Sequence, residues 1–114
     1  MNAIRKVMAI GLFIPTIASA EFFSGNDLLN RLKGNNLDQM QALGFIQGVF
    51  DVYVDITICP PNNGRQVTAG QVNDMVKNYL ENSPAIRHKT AQSIINEALK
   101  GAWPCPQRNR GNQL

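Results

Sequence analysis

Few side chains in this 114-residue sequence could take part in catalysis. Among the acidic residues, Asp51 and Asp55 lie closest together along the chain. If their segment is helical, the two carboxylates lie one turn apart, which is close enough to interact. Two carboxylates in one cleft could act as general acid and general base. Solvated charges along a helix edge are the simpler interpretation, and we favour it.

A cysteine thiol activated by the single histidine, His88, is the second chemistry that the residue types offer. A disulfide between the two cysteines, Cys59 and Cys105, would remove the thiolate. With one histidine and no CxxC pattern, the ligand set is too sparse for a metal site. We therefore predict no catalytic residue, no metal site and no cofactor. His88 is interpreted as a surface histidine rather than a group that changes charge near neutral pH for function.

The first twenty residues have the features of a secretory signal peptide. Arg5 and Lys6 precede an apolar run over residues 7–17, and the small residues Ala18 and Ala20 then mark a cleavage site after Ala20. A transmembrane anchor is the alternative, but the run is shorter than the roughly 20 apolar residues that a bilayer requires. The sequence thus predicts a signal peptide at residues 1–20, and no membrane insertion after its removal.

The charge balance changes once the leader is removed. The whole chain carries 11 Lys and Arg against 8 Asp and Glu, a net charge of +3. Without Arg5 and Lys6, nine basic residues face eight acidic ones, and the net charge falls to +1. Such a chain has no basic surface for nucleic acid. Residues 107–114 are polar up to the last position and are predicted to be a disordered tail.

Export also bears on the cysteines. In an oxidising compartment an even number of cysteines favours a disulfide. We therefore predict a bridge between Cys59 and Cys105, with two free buried thiols as the alternative.

Apolar residues recur at helical spacing in four segments between residues 21 and 106. Ser24 or Asn26 is suited to cap the first helix, and Asn36 or Asp38 to begin the second. Later in the chain, caps and breakers define two more helices and one short extra segment. These are Thr68 with Gln71, Ser83 with Pro84, Thr90, and the stop at Trp103-Pro104-Cys105. The prediction is a small all-α domain of four to five helices with one disulfide, following a cleaved signal peptide.

The second helix is the unusual one. Gln41, Gly44, Gly48, Asp51 and Asp55 form one narrow stripe, and nearly every other residue up to position 56 is apolar. This pattern predicts a central helix, wrapped on most sides, whose glycines let another backbone approach closely. The GxxxG spacing resembles a membrane helix-pairing motif, but the aspartates favour soluble packing. A strand beginning at residue 50 is the alternative, because "FDVYVDITI" alternates and is rich in β-branched residues.

A series of fragments gives the sequence a family resemblance over residues 22–106. The fragments are Gly25-Asn26, Leu28-Leu29, Gly44-Phe45-Ile46-x-Gly48-Val49-x-Asp51, Cys59, Val67-Thr68-x-Gly70-Gln71, Tyr79-Leu80, Pro84, Arg87-His88, Ala91, Ala98-Leu99 and Ala102-Trp103-Pro104-Cys105. In this order and spacing the chain resembles the Rap/Tai-type immunity proteins, small periplasmic proteins linked to type VI secretion. The structural signature carried over consists of Gly44, Gly48, Asp51, Gln71, Tyr79, Pro84 and Trp103.

The sequence departs from the family pattern at two positions. The family usually has two further cysteines, and Leu32 and Ala42 stand at those positions here. Losing both cysteines is what removal of a whole bridge would produce. The resemblance therefore implies that Leu32 and Ala42 are neighbours and that Cys59–Cys105 is the surviving bridge.

The resemblance also implies a function. Members resemble all-α periplasmic dimers that bind a peptidoglycan-cutting amidase effector and block its cleft, so they are inhibitors and not enzymes. We expect the polar loops around Arg65 and around Arg87 and His88 to contact this protein partner. A periplasmic stress chaperone, or another exported interaction module without a toxin partner, is the alternative.

Overall fold

The computed structural model describes residues 23–107, which contain four α-helices. The helices are α1 (Gly25–Leu32), α2 (Asn36–Tyr53), α3 (Ala69–Asn82) and α4 (Ala91–Ala102), with short 3₁₀ helices at Pro61–Gly64 and Pro84–Ile86. The predicted all-α class is confirmed, and no strand occurs within the described residues. The predicted signal peptide, and the tail beyond residue 107, lie outside them.

Side-chain caps explain where the helices begin. The Ser24 hydroxyl accepts a hydrogen bond from the Asp27 N–H (3.1 Å), and the Asp27 carboxylate accepts one from the Ser24 N–H (3.2 Å). Such a reciprocal box satisfies two backbone donors that the helix itself leaves unpaired. Asn35, Thr68 and Thr90 cap α2, α3 and α4 through a side-chain oxygen. The caps predicted at Ser24, Thr68 and Thr90 are therefore confirmed, whereas α2 is capped by Asn35 rather than by Asn36 or Asp38.

One apolar core joins all four helices. It is formed by Leu28, Leu29, Leu32, Ala42, Ile46, Val49, Ile58, Val72, Val76, Leu80, Ala91, Ile94, Ile95 and Leu99. Every pair of helices is in contact, so each helix buries one side against the same cluster.

The end of α2 differs from the sequence prediction. The helix ends at Tyr53, Val54 is extended, and Asp55 adopts a left-handed backbone with φ of 65°. The Asp55 N–H then donates to the Ile58 carbonyl (2.8 Å), and this turn carries Ile58 into the core. The stripe predicted from Gln41 to Asp55 thus loses its last member, and the alternative strand is also wrong. β-Branched residues favour an early end of the helix, and burial of Ile58 stabilises the turn that follows it.

The predicted disulfide is confirmed. Cys59 and Cys105 are bonded, with a Cα–Cα distance of 4.8 Å and a sequence separation of 46 residues. Beside the bridge, the Cys59 N–H donates to the Trp103 carbonyl (2.8 Å). The segment that follows α2 is therefore fastened to the end of α4 by one covalent bond and one hydrogen bond.

Leu32 and Ala42 are both buried in the core, and their helices α1 and α2 pack against each other. This arrangement agrees with a family bridge having joined the two positions. Their direct contact stays a prediction.

Replacing both Cys59 and Cys105 with alanine should lower the free energy of unfolding by up to about 4 kcal/mol, because the unfolded chain regains the entropy of an open loop. Urea unfolding followed by circular dichroism measures this change. Chemical reduction of the unmodified protein is the control and should give the same loss. An unchanged midpoint would show that the bridge does not contribute to stability.

Introducing Leu32→Cys and Ala42→Cys together should produce a second disulfide on air oxidation. A loop of this length would stabilise the fold by up to about 3 kcal/mol in the chain-entropy model. Mass spectrometry of the intact protein detects the loss of two hydrogens, and each single variant serves as control. Free thiols in the oxidised double variant would mean that the two positions are not neighbours.

Candidate partner-binding surfaces

The two signature glycines of α2 face open space. A Cβ built on Gly44 or on Gly48 would meet no heavy atom within 4 Å. Within the chain itself, no other backbone approaches these two glycines closely. Gly25 shows the contrasting case, because its Cβ would lie 2.9 Å from the Arg87 carbonyl oxygen and against the Ile94 side chain.

The outward side of α2 is apolar as well as open. Of its 18 residues only Ala42, Ile46 and Val49 are buried, so the helix is not wrapped on most sides as predicted. Met40 is 68% exposed and Val52 is 61% exposed. We call this side the α2 outer face and define it by Leu37, Met40, Gln41, Gly44, Gly48, Asp51 and Val52, all exposed. No helix within residues 23–107 combines the length and apolarity that a bilayer span requires.

A groove of about 450 Å³ runs along one edge of this face, between α2 and α4. It is lined by Gly44, Phe45, Gly48, Val49, Val52, Tyr53 and Gln92. The Gln92 side-chain amide donates to the Tyr53 hydroxyl (2.7 Å), which fixes the polar rim of an otherwise apolar surface. Such a surface is suited to apolar side chains of a partner.

Aromatic and cationic groups lie beside this groove, next to Phe45. The Phe23 and Phe45 rings lie 5.2 Å apart between centroids, and the Arg31 guanidinium lies 4.7 Å from the Phe23 centroid. Arg31 also donates a hydrogen bond to the side-chain oxygen of Gln41. The Gln41 amide nitrogen therefore points its donors away from Arg31 and is available to a partner.

The early end of α2 separates Asp51 from Asp55. Asp51 is exposed on the helix, whereas Asp55 is exposed in the turn that follows it. The helical spacing that suggested a carboxylate pair therefore does not apply. Between residues 23 and 107, no group of three or more His, Cys, Asp or Glu side chains is placed to hold a metal ion.

Arg65 lies in an exposed loop directly after the disulfide. Asn62, Asn63 and Gly64 all have left-handed backbones, with φ of 54°, 55° and 80°. The turn is closed by the Arg65 N–H donating to the Asn62 carbonyl (3.1 Å), and the Asn62 side chain donates to Gln66 (3.0 Å). Asparagine and glycine are the residue types that tolerate this conformation, so the sequence itself specifies the loop shape. We call residues 60–66 the disulfide loop.

Arg87 and His88 lie in a second loop, residues 83–90, that packs on the start of α1. The Arg87 carbonyl accepts from the Asn26 N–H (2.9 Å), and the Lys89 carbonyl accepts from the Gly25 N–H (2.9 Å). The Arg87 side chain is half-buried and His88 is exposed. This loop therefore has a structural role, because its two backbone hydrogen bonds anchor the start of α1.

The structure does not bring Arg65 and Arg87 together. Arg65 precedes α3 and Arg87 follows it, and a helix of 14 residues is about 21 Å long. A single protruding segment of a partner cannot contact both.

The remaining signature residues lie at the start of a helix or pack against the core. The backbone N–H of Gln71 donates to the Thr68 hydroxyl (3.1 Å) at the start of α3. Tyr79 and Trp103 are half-buried and pack against the core. Pro84 opens the 3₁₀ helix Pro84–Ile86.

Comparison with known proteins identifies one family. The family model described as Rap1a immunity proteins matches residues 24–105, which include all four helices and both cysteines. No curated protein matches the chain significantly.

Replacing Gly44 or Gly48 with alanine should raise the free energy of unfolding by about 1 kcal/mol each, because alanine favours the helix and meets no neighbour. Gly25→Ala is the matched control and should destabilise the protein, since its Cβ would overlap Ile94 and the Arg87 backbone. Urea unfolding at low micromolar protein concentration measures all three. Destabilisation by Gly44→Ala would show that this glycine is packed within the chain.

Proposed function

The chain belongs to the Rap1a immunity protein family, and from this premise we propose that it inhibits a peptidoglycan amidase effector of type VI secretion in the periplasm. Family membership implies a protein effector as partner and a non-enzymatic, inhibitory role. The amidase, the secretion system and the compartment are the proposed part. The protein would protect its cell by binding the effector and occluding the cleft that holds the cell wall.

The periplasmic location is supported by two features. Residues 1–20 have the pattern of a signal peptide with cleavage after Ala20. The Cys59–Cys105 disulfide is suited to an oxidising compartment, where such bonds persist. A peptidoglycan amidase acts in the same compartment, so the inhibitor would meet its target there.

We choose the disulfide loop as the contact site because it is exposed and fixed at one end. It is exposed at Pro61, Asn62, Asn63, Arg65 and Gln66, yet its backbone is fixed at one end by the bridge. A loop that is rigid before binding loses little conformational entropy on binding. It is therefore better suited to plug a cleft than a flexible segment of the same composition.

Arg65 is the residue in this loop that is suited to specific recognition. Its guanidinium can donate two parallel hydrogen bonds to a carboxylate of the effector. The loop around Arg87 is the weaker candidate, because the Arg87 side chain is half-buried and its carbonyl is used to anchor α1. His88, which is exposed, can contact only an effector that extends along the full length of α3.

The exposed α2 outer face also suits a periplasmic stress chaperone, which would bind unfolded chains through apolar surface. An acid-activated chaperone needs many groups that titrate on acidification. The predicted mature chain has one histidine and eight carboxylates, which are few titratable groups for such a switch. Suppression of aggregation at low pH, followed by light scattering, would identify this function.

The test uses a cell-wall hydrolase encoded beside this chain as the candidate effector, expressed in the periplasm. We expect co-expression of the chain to restore growth, and the purified pair to form a complex that blocks peptidoglycan cleavage. Arg65→Glu should weaken the complex by about tenfold to a hundredfold, as loss of a central arginine does in other interfaces. Lys100→Glu is the control, because Lys100 is exposed and belongs to neither loop.

The outcomes separate the parts of this proposal. Arg87→Glu weakening the complex, with Arg65→Glu silent, would move the contact to the loop at residues 83–90. Neither variant having an effect would show that the contact lies elsewhere. A chain that neither binds the hydrolase nor restores growth would contradict the immunity function itself.

A further inference from the structure

The apolar groove between α2 and α4 lies beside the point at which the chain enters the fold. The Phe23 carbonyl accepts a hydrogen bond from the Ala91 N–H (2.6 Å), which holds Phe23 at the start of α4, next to Gln92 of the groove. The Phe23 ring also packs on the ring of Phe45, which lines the same groove. The residues that precede Phe23 therefore start next to groove-lining residues of both helices.

The pairing of this entry segment with the start of α4 sets its direction. Ser24 and Thr90 form an antiparallel bridge. In such a pairing, each step back along one segment is a step forward along the other. Two steps back from Ser24, the register therefore sets Phe22 beside Gln92 at the groove.

We propose that, once the leader has been removed after Ala20, the ring of Phe22 occupies the groove between α2 and α4. Residues 21–22, which we call the N-terminal segment, lie outside the described residues, and the proposal rests on the export that is part of the proposed function. An aromatic ring matches the apolar lining, because contact removes both surfaces from water. Gly44 and Gly48 suit a flat ring, since the space above each of them is open within the described chain.

The length of the N-terminal segment agrees with the size of the groove. From Gly44 to Tyr53 the groove follows about 14 Å of α2. Two extended residues reach at most about 7 Å from Phe23, and the Phe22 side chain adds to that distance. The segment can therefore cover the half of the groove nearest Phe45. Residues 107–114 suit the groove less well, because they are polar up to the last position.

Removal of the leader also places a positive charge at the start of this segment. Hydrolysis of the Ala20–Glu21 peptide bond leaves an α-amino group on Glu21, which is mostly protonated at neutral pH. Asp51 is exposed one helical turn after Gly48, and it forms no ion pair within residues 23–107. The ammonium group can approach this carboxylate while Phe22 lies in the groove, and the flexible Glu21 side chain can turn to solvent. In the precursor the same nitrogen is an uncharged amide, so the ion pair belongs to the mature chain alone.

Nuclear magnetic resonance of the mature chain tests the contact directly. A tag whose removal leaves Glu21 as the first residue makes the test independent of export. We expect short proton–proton contacts between the Phe22 ring and both Gly48 and Val52 of α2. A Phe22 ring without contacts to α2 would overturn the proposal. Contacts that appear only at high protein concentration would also overturn it, because a second copy would then fill the groove.

Urea unfolding followed by circular dichroism tests the stabilisation. Phe22→Ala should lower the equilibrium constant for folding about fivefold to thirtyfold, because the groove loses its apolar occupant. In a Gly48→Gln background the same change should have little effect, since the long side chain already covers the groove, whereas an alanine methyl would leave room for the ring. Gly70→Gln is the matched control background, because Gly70 is also exposed in a helix with nothing within 4 Å of its Cβ. An equal effect of Phe22→Ala in both backgrounds would mean that Phe22 packs elsewhere.

An extension of the mature chain tests the ion pair. Glycine and serine residues added before Glu21 move the ammonium group away and should lower the folding constant about twofold to fivefold. In an Asp51→Asn background the extension should cost nothing further, and an equal loss there would contradict the ion pair.

Failure of this proposal can be distinguished from failure of the immunity function, because none of these measurements involves the effector. Cleavage of the exported protein after Phe22, detected by mass spectrometry, would overturn the groove contact and leave the immunity function intact. Loss of effector inhibition in Arg65→Glu would leave the groove contact unaffected.

Discussion

Burial of one apolar side from each of four helices in a single shared core is the interaction on which this structure depends. A domain of this size has room for one such cluster, and fourteen residues fill it. Helices α1, α3 and α4 have polar outer sides, so their burial leaves little apolar surface. Helix α2 is the longest and carries apolar residues on both sides. Its excess apolar surface therefore faces outward.

Much of the fold could be predicted because local signals agree with it. Ser24, Thr68 and Thr90 are caps in the sequence and in the structure. The helical spacing of apolar residues in α3 and α4 agrees with the structure, in which each of these helices buries one apolar stripe. With only two cysteines in the chain, the bridge had one possible pairing.

The errors concern α2, and they have a common cause. A helix with apolar residues on both its inner and its outer side gives only a weak period from which to distinguish the two. The helix was predicted to be wrapped on most sides, whereas Gly44 and Gly48 lie on an exposed side. A signal was present: mid-helix glycines cost stability, and an open surface reserved for a partner is one reason to keep them. The end of α2 at Tyr53 depends on burial of Ile58. This burial is a tertiary effect, and helix propensity does not describe it.

The disulfide has a consequence for the timing of folding. Cys59 and Cys105 enclose α3 and α4 in one covalent ring and leave α1 and α2 outside it as an open arm. On the proposed export route, the ring cannot close before translocation, because the cytosol is reducing. The nascent precursor would then be a looser chain, which is the state that a translocon threads. On that route the covalent ring would close only after export, in the compartment proposed for the effector.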